Sequence, residues 1–174
     1  WLMGLRPDIQ SRMADSRFAI ELAATFMTSV LAAAAAFCAG CPGRPLWERF
    51  APLPALGLWI WSLGEGCWRT FVASGAEGLS FRLDFACLPS ILLVSVVPGA
   101  LMLKMIRQGA PIAPVTTTAL AALAAGALGA TALRLFHAQD ASMMVLVWQF
   151  GSVALLAGLG ALIGRQLLPW PAPR

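Results

Sequence analysis

The sequence predicts an all-α polytopic transmembrane helical bundle with five spans in this chain. Hydrophobic residues make up 59% of its 174 residues, charged residues make up only 11%, and the mean hydropathy is +0.78. A soluble domain carries roughly 25% charged residues, so the bilayer is the natural solvent for most of this chain. The apolar runs are separated by short connections rich in turn residues, such as CAGCPGRP and RQGAPIAP. We therefore expect residues 1–174 to form a single integral-membrane helical domain.

The apolar runs have the length of spanning helices, which need roughly 20 mostly apolar residues. They predict spans at residues 18–37, 54–73, 87–105, 115–136 and 142–163. Pro89 and Pro98 fall inside the third span and are expected to kink it. The opening WLMGLRPDIQSRMADSR has the pattern of an apolar segment that runs into a polar loop. This pattern leads us to expect a sixth span at or before the N-terminus.

Small residues mark two helix faces that could pack closely. The fourth predicted span carries them four residues apart, at Thr118, Ala122, Gly126 and Ala130. The last span carries the G-x-x-x-G pair Gly160 and Gly164. In lipid, apolar helices gain no hydrophobic free energy by associating, so their association depends on close packing. Small side chains allow the helices to approach closely enough for it. The pattern favours packing within the chain and leaves a homodimer as the alternative.

The net charge of +4 does not indicate nucleic-acid binding, because the 12 basic residues are scattered singly along the chain. A better explanation of these basic residues is that they flank the membrane spans. They divide equally between the two ends of the predicted bundle, so the positive-inside rule does not decide its orientation.

Ionisable residues cluster towards one end of the predicted bundle. Glu65 and Arg69 share a helix face at the favourable i,i+4 spacing, and Arg17 and Glu21 repeat that spacing in the reverse order. The full set of this predicted outer-face polar layer is Arg17, Glu21, Glu65, Arg69, Arg134, His137 and Asp140. Charges in membrane segments are costly and are usually functional. The layer is interpreted as a clamp that fixes helix packing, with a ligand or signal pocket as the alternative.

The four cysteines fall into two pairs. Cys38 and Cys41 form a single C-x-x-C at a helix end, which is a weak metal or redox signal because zinc usually takes four ligands. Cys67 and Cys87 both lie towards the polar layer and are candidate sensing thiols. They could form a disulfide if that face is oxidising, or they could be two inert buried thiols.

The sequence predicts neither catalysis, nor a metal site, nor a cofactor. No nucleophile lies beside an evident base, and H-E-x-x-H, phosphate-binding loops and paired-carboxylate spacings do not occur. His137 lies alone in the turn LFHAQDAS, where a hydrogen-bonding role is commoner than metal ligation.

Longer segments resemble the NrsF family of bacterial inner-membrane anti-sigma proteins. They are CLPSILLVSVVPGALMLKMIRQGAP, GALGATALRLFHAQDASMMVLVWQFG and GALIGRQLLPW, together with GLRPD and SLGEGCWR. The resemblance implies six spans, both termini in the cytoplasm, and an extracytoplasmic-function sigma factor as the partner. That sigma factor would be held at the membrane and released on a periplasmic metal or redox stress. Cys67 and Cys87 would then lie towards the oxidising face, and Cys38 and Cys41 towards the reducing one.

The sequence departs from the family pattern at two points. Ala138 stands where the family often has a cysteine, so a thiol pair between that position and Cys87 is excluded. The cytoplasmic segment expected to grip the sigma factor would lie before Trp1. Two other functions remain open, a small metal or solute transporter and a structural membrane subunit of a larger complex.

Overall fold

The computed structural model describes residues 6–78, 87–109, 112–136, 143 and 145–169. All regular structure in these ranges is helical. The α-helices are α1 (Ile9–Met13), α2 (Ser16–Gly40), α3 (Leu53–Gly78), α4 (Cys87–Arg107), α5 (Pro114–Phe136) and α6 (Gly151–Leu167). A 3₁₀ helix (Leu46–Phe50) precedes α3, and a π-helix (Val145–Phe150) leads directly into α6.

Within the described residues, four helical stretches are long and apolar enough to cross a membrane. They are Ser16–Gly40, Leu88–Arg107, Pro114–Phe136 and Val145–Leu167. They coincide with the first, third, fourth and fifth predicted spans. The second predicted span is also helical, but α3 falls outside this apolar set because Glu65 and Arg69 interrupt its hydrophobic run. The prediction of an all-helical fold is confirmed, whereas a count of five spans plus a sixth is not.

Helix α5 lies at the centre of the bundle. It packs against α2, α4 and α6, and 56% of its apolar stretch is buried, compared with 22% for the α4 and α6 stretches. Side-chain hydroxyls join these helices by donating to carbonyl oxygens of α5. Ser29 of α2 donates to the Ala124 oxygen at 2.8 Å, and Ser95 of α4 donates to the Ala125 oxygen at 3.0 Å.

The small-residue faces of α5 and α6 meet within the chain. A Cβ atom added at Gly160 would lie 2.8 Å from the Thr118 carbonyl oxygen and 2.9 Å from the Ala122 Cβ. One added at Gly164 would lie 2.9 Å from the Pro114 oxygen. The Thr118 hydroxyl uses the same close approach to donate to the Gly160 oxygen at 2.8 Å. The interpretation of these faces as packing within the chain is confirmed.

Helix α3 packs against α2 and inserts Trp59 and Leu63 into the core. The Trp59 ring meets Phe150 edge to face, with a centroid distance of 5.5 Å. At Gly75, α3 is interrupted by φ 62° and ψ −157°, a conformation that glycine adopts without a steric penalty. The regular part of the helix therefore ends close to the predicted boundary at residue 73.

Candidate functional site

A buried ion pair joins α2 to α5 at one end of the bundle. Arg134 Nη2 donates to Glu21 Oε2 at 2.5 Å, and each side chain is 8% exposed. Glu21 lies in the second turn of α2, which Asp15 caps by accepting from the Arg17 backbone N–H at 3.0 Å. Arg134 lies in the last turn of α5, where a cation also offsets the partial negative charge of the helix end. The pair therefore fixes the relative position of two helix ends.

The ring of Phe18 supports this ion pair. The guanidinium carbon of Arg134 lies 5.0 Å from the ring centroid, and that of Arg6 lies 5.7 Å from it. Phe18 is buried one turn before Glu21 on α2. A cation over an aromatic face is attracted by the ring quadrupole, and more strongly where water is excluded. Phe18 thus contacts two guanidinium groups in a largely buried part of the protein.

Arg6 ties the segment before α1 to this site. Its side chain donates two hydrogen bonds to Asp8, at 2.7 and 2.8 Å, and its backbone N–H donates to the Leu135 oxygen at 3.1 Å. Arg6 is only 2% exposed, which is rare for arginine unless it is paired. The hydrogen bonds from Arg6 lower the pKa of Asp8 from 3.8 to about 2.

A small polar cavity borders the ion pair. Its volume is about 90 Å³, which is enough for a few water molecules or a small ion. The residues that line it are Arg12, Asp15, Arg17, Phe18, Glu21, Arg134 and Val145. Three cationic side chains therefore face two carboxylates. An anion entering this cavity, or a proton on Glu21, would compete with the ion pair between α2 and α5.

The other predicted pair lies on the surface of α3. Arg69 Nη2 donates to Glu65 Oε1 at 2.5 Å, and the Arg69 side chain is 63% exposed. Trp68 and Phe71, both exposed, stack beside it at a centroid distance of 6.0 Å. Exposed aromatic and charged side chains of this kind are typical of the membrane–water boundary. The i,i+4 prediction for Glu65 and Arg69 is confirmed.

The sequence spacing suggested Arg17 as the partner of Glu21, but the structure pairs Glu21 with Arg134, 113 residues away. Arg17 lines the same cavity. His137 and Asp140 lie outside the described residues. The structure therefore brings together three of the seven predicted polar residues around the cavity, and places Glu65 and Arg69 as a separate exposed pair.

Of the two candidate sensing thiols, only one has a described side chain. Cys67 is half-buried in α3 as a free thiol. The backbone of Cys87 begins α4, but its side chain lies outside the described residues. A role of Cys67 and Cys87 in sensing remains a prediction.

Sequence reasoning missed Arg6, Asp8 and Phe18 as parts of the site. The apolar pattern identifies Phe18 only as the first residue of a span. Arg6 and Asp8 are close in sequence, which is a signal for a local ion pair, but the burial of Arg6 depends on its contact with the end of α5. Such long-range contacts have no periodic signature along the chain.

Together, these observations describe a helical bundle with helices apolar enough to cross a membrane and a polar site near one end. The class is that of a regulatory protein, because the match to known proteins is to a regulator family. The model of the NrsF family, described as negative regulator of sigma F, matches residues 1–170, and the chain belongs to that family. Membership implies negative regulation of a sigma factor. No curated protein and no solved structure gives a significant match to the chain.

Proposed function

We propose that this protein is an inner-membrane anti-sigma factor that sequesters an extracytoplasmic-function sigma factor and releases it on a periplasmic stress signal. The observation that carries the proposal is the family match over residues 1–170. The helical bundle supports it, because a sigma factor is a soluble protein that a multi-helix anchor can hold away from the polymerase.

The buried ion pair supplies a mechanism for release. Glu21 and Arg134 connect α2 to α5, and α5 contacts α2, α4 and α6, so a change at this pair reaches the centre of the bundle. A signal can shift such a bundle only if it binds one of two packing states better than the other. The adjacent cavity offers the place where a small ligand would act on the pair.

The first experiment is to purify the full-length protein, with its native N-terminus, from membranes of its own host in mild detergent. Mass spectrometry of the soluble proteins that accompany it should find a sigma factor in stoichiometric amount. A reproducible absence, with the bundle intact, would contradict the proposal. It would favour a transporter or a structural membrane subunit instead.

The thiol part of the proposal has its own experiment. Cys67→Ser with Cys87→Ser should abolish the stress response of sigma-dependent transcription while leaving repression in unstressed cells. Thr70→Ser, three residues after Cys67 on the same helix, is the matched control. If the double variant responds like wild type, the signal does not act through these thiols.

The alternative function, a small metal or solute transporter, makes a different prediction. Uptake into proteoliposomes would depend on Glu65 or Arg69. The anti-sigma proposal predicts no uptake.

A further inference from the structure

The C-x-x-C pair at the end of α2, Cys38 and Cys41, has no role in the proposed function. Cys38 lies in the last turn of α2, half-buried, and Cys41 follows the helix as its exposed cap residue. The Cys41 backbone N–H donates to the Cys38 oxygen at 3.1 Å, which closes a turn between them. A turn of this kind brings two Cα atoms to less than about 7 Å, within reach of a disulfide.

A guanidinium lies against one of these two thiols. Arg44 Nη2 donates to Cys38 Sγ at 3.3 Å. A cation next to sulfur stabilises the thiolate, which is the nucleophilic form of cysteine. At the C-terminal end of a helix this cation is needed, because the helix dipole there disfavours a negative charge.

The local backbone directs Arg44 to this position. Pro42 and Gly43 turn the chain after the helix, and Gly43 has φ 79°, a conformation that favours glycine. Glu48 then forms an ion pair with Arg44, with Arg44 Nε 2.9 Å from Glu48 Oε2. The guanidinium is thus held between the Cys38 sulfur and a carboxylate.

The two sulfurs lie at the end of a helix that is longer than the apolar layer of a membrane. Helix α2 has 25 residues, so it is about 37 Å long, whereas the hydrocarbon core is about 30 Å thick. At that end Cys41 is exposed and Cys38 is half-buried. Cys41 also borders a cavity of about 190 Å³ beside Met105 and Ile106, which has room for a molecule of the size of a peroxide.

We propose that Cys38 and Cys41 form a peroxide-reactive dithiol, in which Cys38 is the nucleophile, Arg44 stabilises its thiolate and Cys41 is the resolving thiol. The Cys38 thiolate attacks one oxygen of hydrogen peroxide, the O–O bond breaks, and hydroxide leaves and takes up a proton. The sulfenic acid on Cys38 is then attacked by the deprotonated sulfur of Cys41. The S–S bond forms as the S–O bond breaks, and the oxygen leaves as water.

Overall, one dithiol and one molecule of hydrogen peroxide give one disulfide and two molecules of water. Two electrons pass from the sulfurs to the peroxide. The proposal does not depend on the proposed function, since it concerns a different end of α2 from Glu21.

The test uses the full chain in detergent, reduced, in a Cys67→Ser, Cys87→Ser background. Treatment with hydrogen peroxide should remove two alkylatable thiols and produce a Cys38–Cys41 disulfide in the peptide mass spectrum, which dithiothreitol reverses. Cys41→Ser should instead leave a Cys38 sulfenic acid that dimedone traps. If Cys41 in a Cys38→Ser chain formed dimedone adducts as fast as Cys38 does in the Cys41→Ser chain, the assignment of the nucleophile would be overturned.

The role of Arg44 is tested by rate. Arg44→Ala should slow peroxide oxidation on the order of fivefold to tenfold, whereas Arg49→Ala, which removes the same charge five residues away, should leave the rate within about twofold. Equal rates for the two variants would contradict the role of Arg44. Thermal unfolding of each variant is the control that both chains are folded when their oxidation rates are compared.

Discussion

Glu21 and Arg134 form an ion pair that is almost completely buried, although they lie 113 residues apart in sequence. The pair joins the beginning of α2 to the end of α5, and Phe18 lies beside the guanidinium. The contact therefore joins charged side chains of two different apolar helices. Its contribution to stability can be measured directly.

Removing one partner of the pair should be strongly destabilising. Arg134→Leu leaves the Glu21 carboxylate buried without its cation, and we expect a loss of about 3–5 kcal/mol in the free energy of unfolding. Glu21→Leu with Arg134→Leu should recover most of that loss, because neither charge is then buried. Unfolding in mixed micelles gives the values for a double-mutant cycle. Additive single effects would contradict a direct pair.

The exposed pair on α3 is the matched control. Arg69→Leu removes the partner of Glu65, but the pair lies on the exposed surface of α3, so we expect a change of at most about 1 kcal/mol in the same unfolding measurement. A loss as large as that of Arg134→Leu would mean that another part of the protein covers this pair.

The contact between α5 and α6 should not tolerate a single methyl group at Gly160. Gly160→Ala places a Cβ 2.8 Å from a backbone oxygen of α5, and we expect a loss of about 1–3 kcal/mol in the free energy of unfolding. Gly158→Ala is the control on the same helix, since a Cβ there meets nothing within 4 Å. Equal stability of the two variants would contradict close packing at this face.

Two tryptophans two residues apart should behave differently. Trp59 is 2% exposed and packs against Phe150, whereas Trp61 is 71% exposed. Trp59→Ala should reduce the free energy of unfolding by about 3–5 kcal/mol, and Trp61→Ala by less than about 1 kcal/mol. Thermal unfolding in detergent distinguishes the two. The reverse order would mean that α3 packs on the core through its other face.

The Arg6–Asp8 pair should make stability depend on pH in the acidic range. The pKa of Asp8 is lowered to about 2 in the folded protein, below its value of about 3.9 in an unfolded chain. The stabilising contribution is therefore complete above about pH 4 and is lost as the pH falls towards 2. The melting temperatures of wild type and Asp8→Ala should differ above pH 4 and converge towards pH 2. A difference that is constant over this range would exclude an ionised Asp8 as its cause.

The apolar runs of the sequence were sufficient to predict the first, third, fourth and fifth spans, because burial in lipid requires an uninterrupted hydrophobic surface. The C-x-x-C was correctly predicted to lie at a helix end, and the i,i+4 rule correctly paired Glu65 with Arg69. The same rule suggested Arg17 for Glu21, because it considers one helix at a time. The pair with Arg134 depends on how α2 and α5 cross, and two residues on different helices carry no mutual spacing signal. The burial of Arg6 was not predictable for the same reason.

The π-helix Val145–Phe150 affects the rotation of α6 about its own axis, because α6 follows it directly. A π turn accommodates one residue more than an α turn, so it displaces the subsequent helix by about 100° relative to an uninterrupted α-helix. The face of α6 that meets α5 beyond this displacement carries Gly160 and Gly164. Deleting one residue from this stretch would turn the glycines away from α5 and bring bulkier neighbours into their place. In related chains, a one-residue gap here should accordingly be accompanied by a shift of the glycine pair by one position.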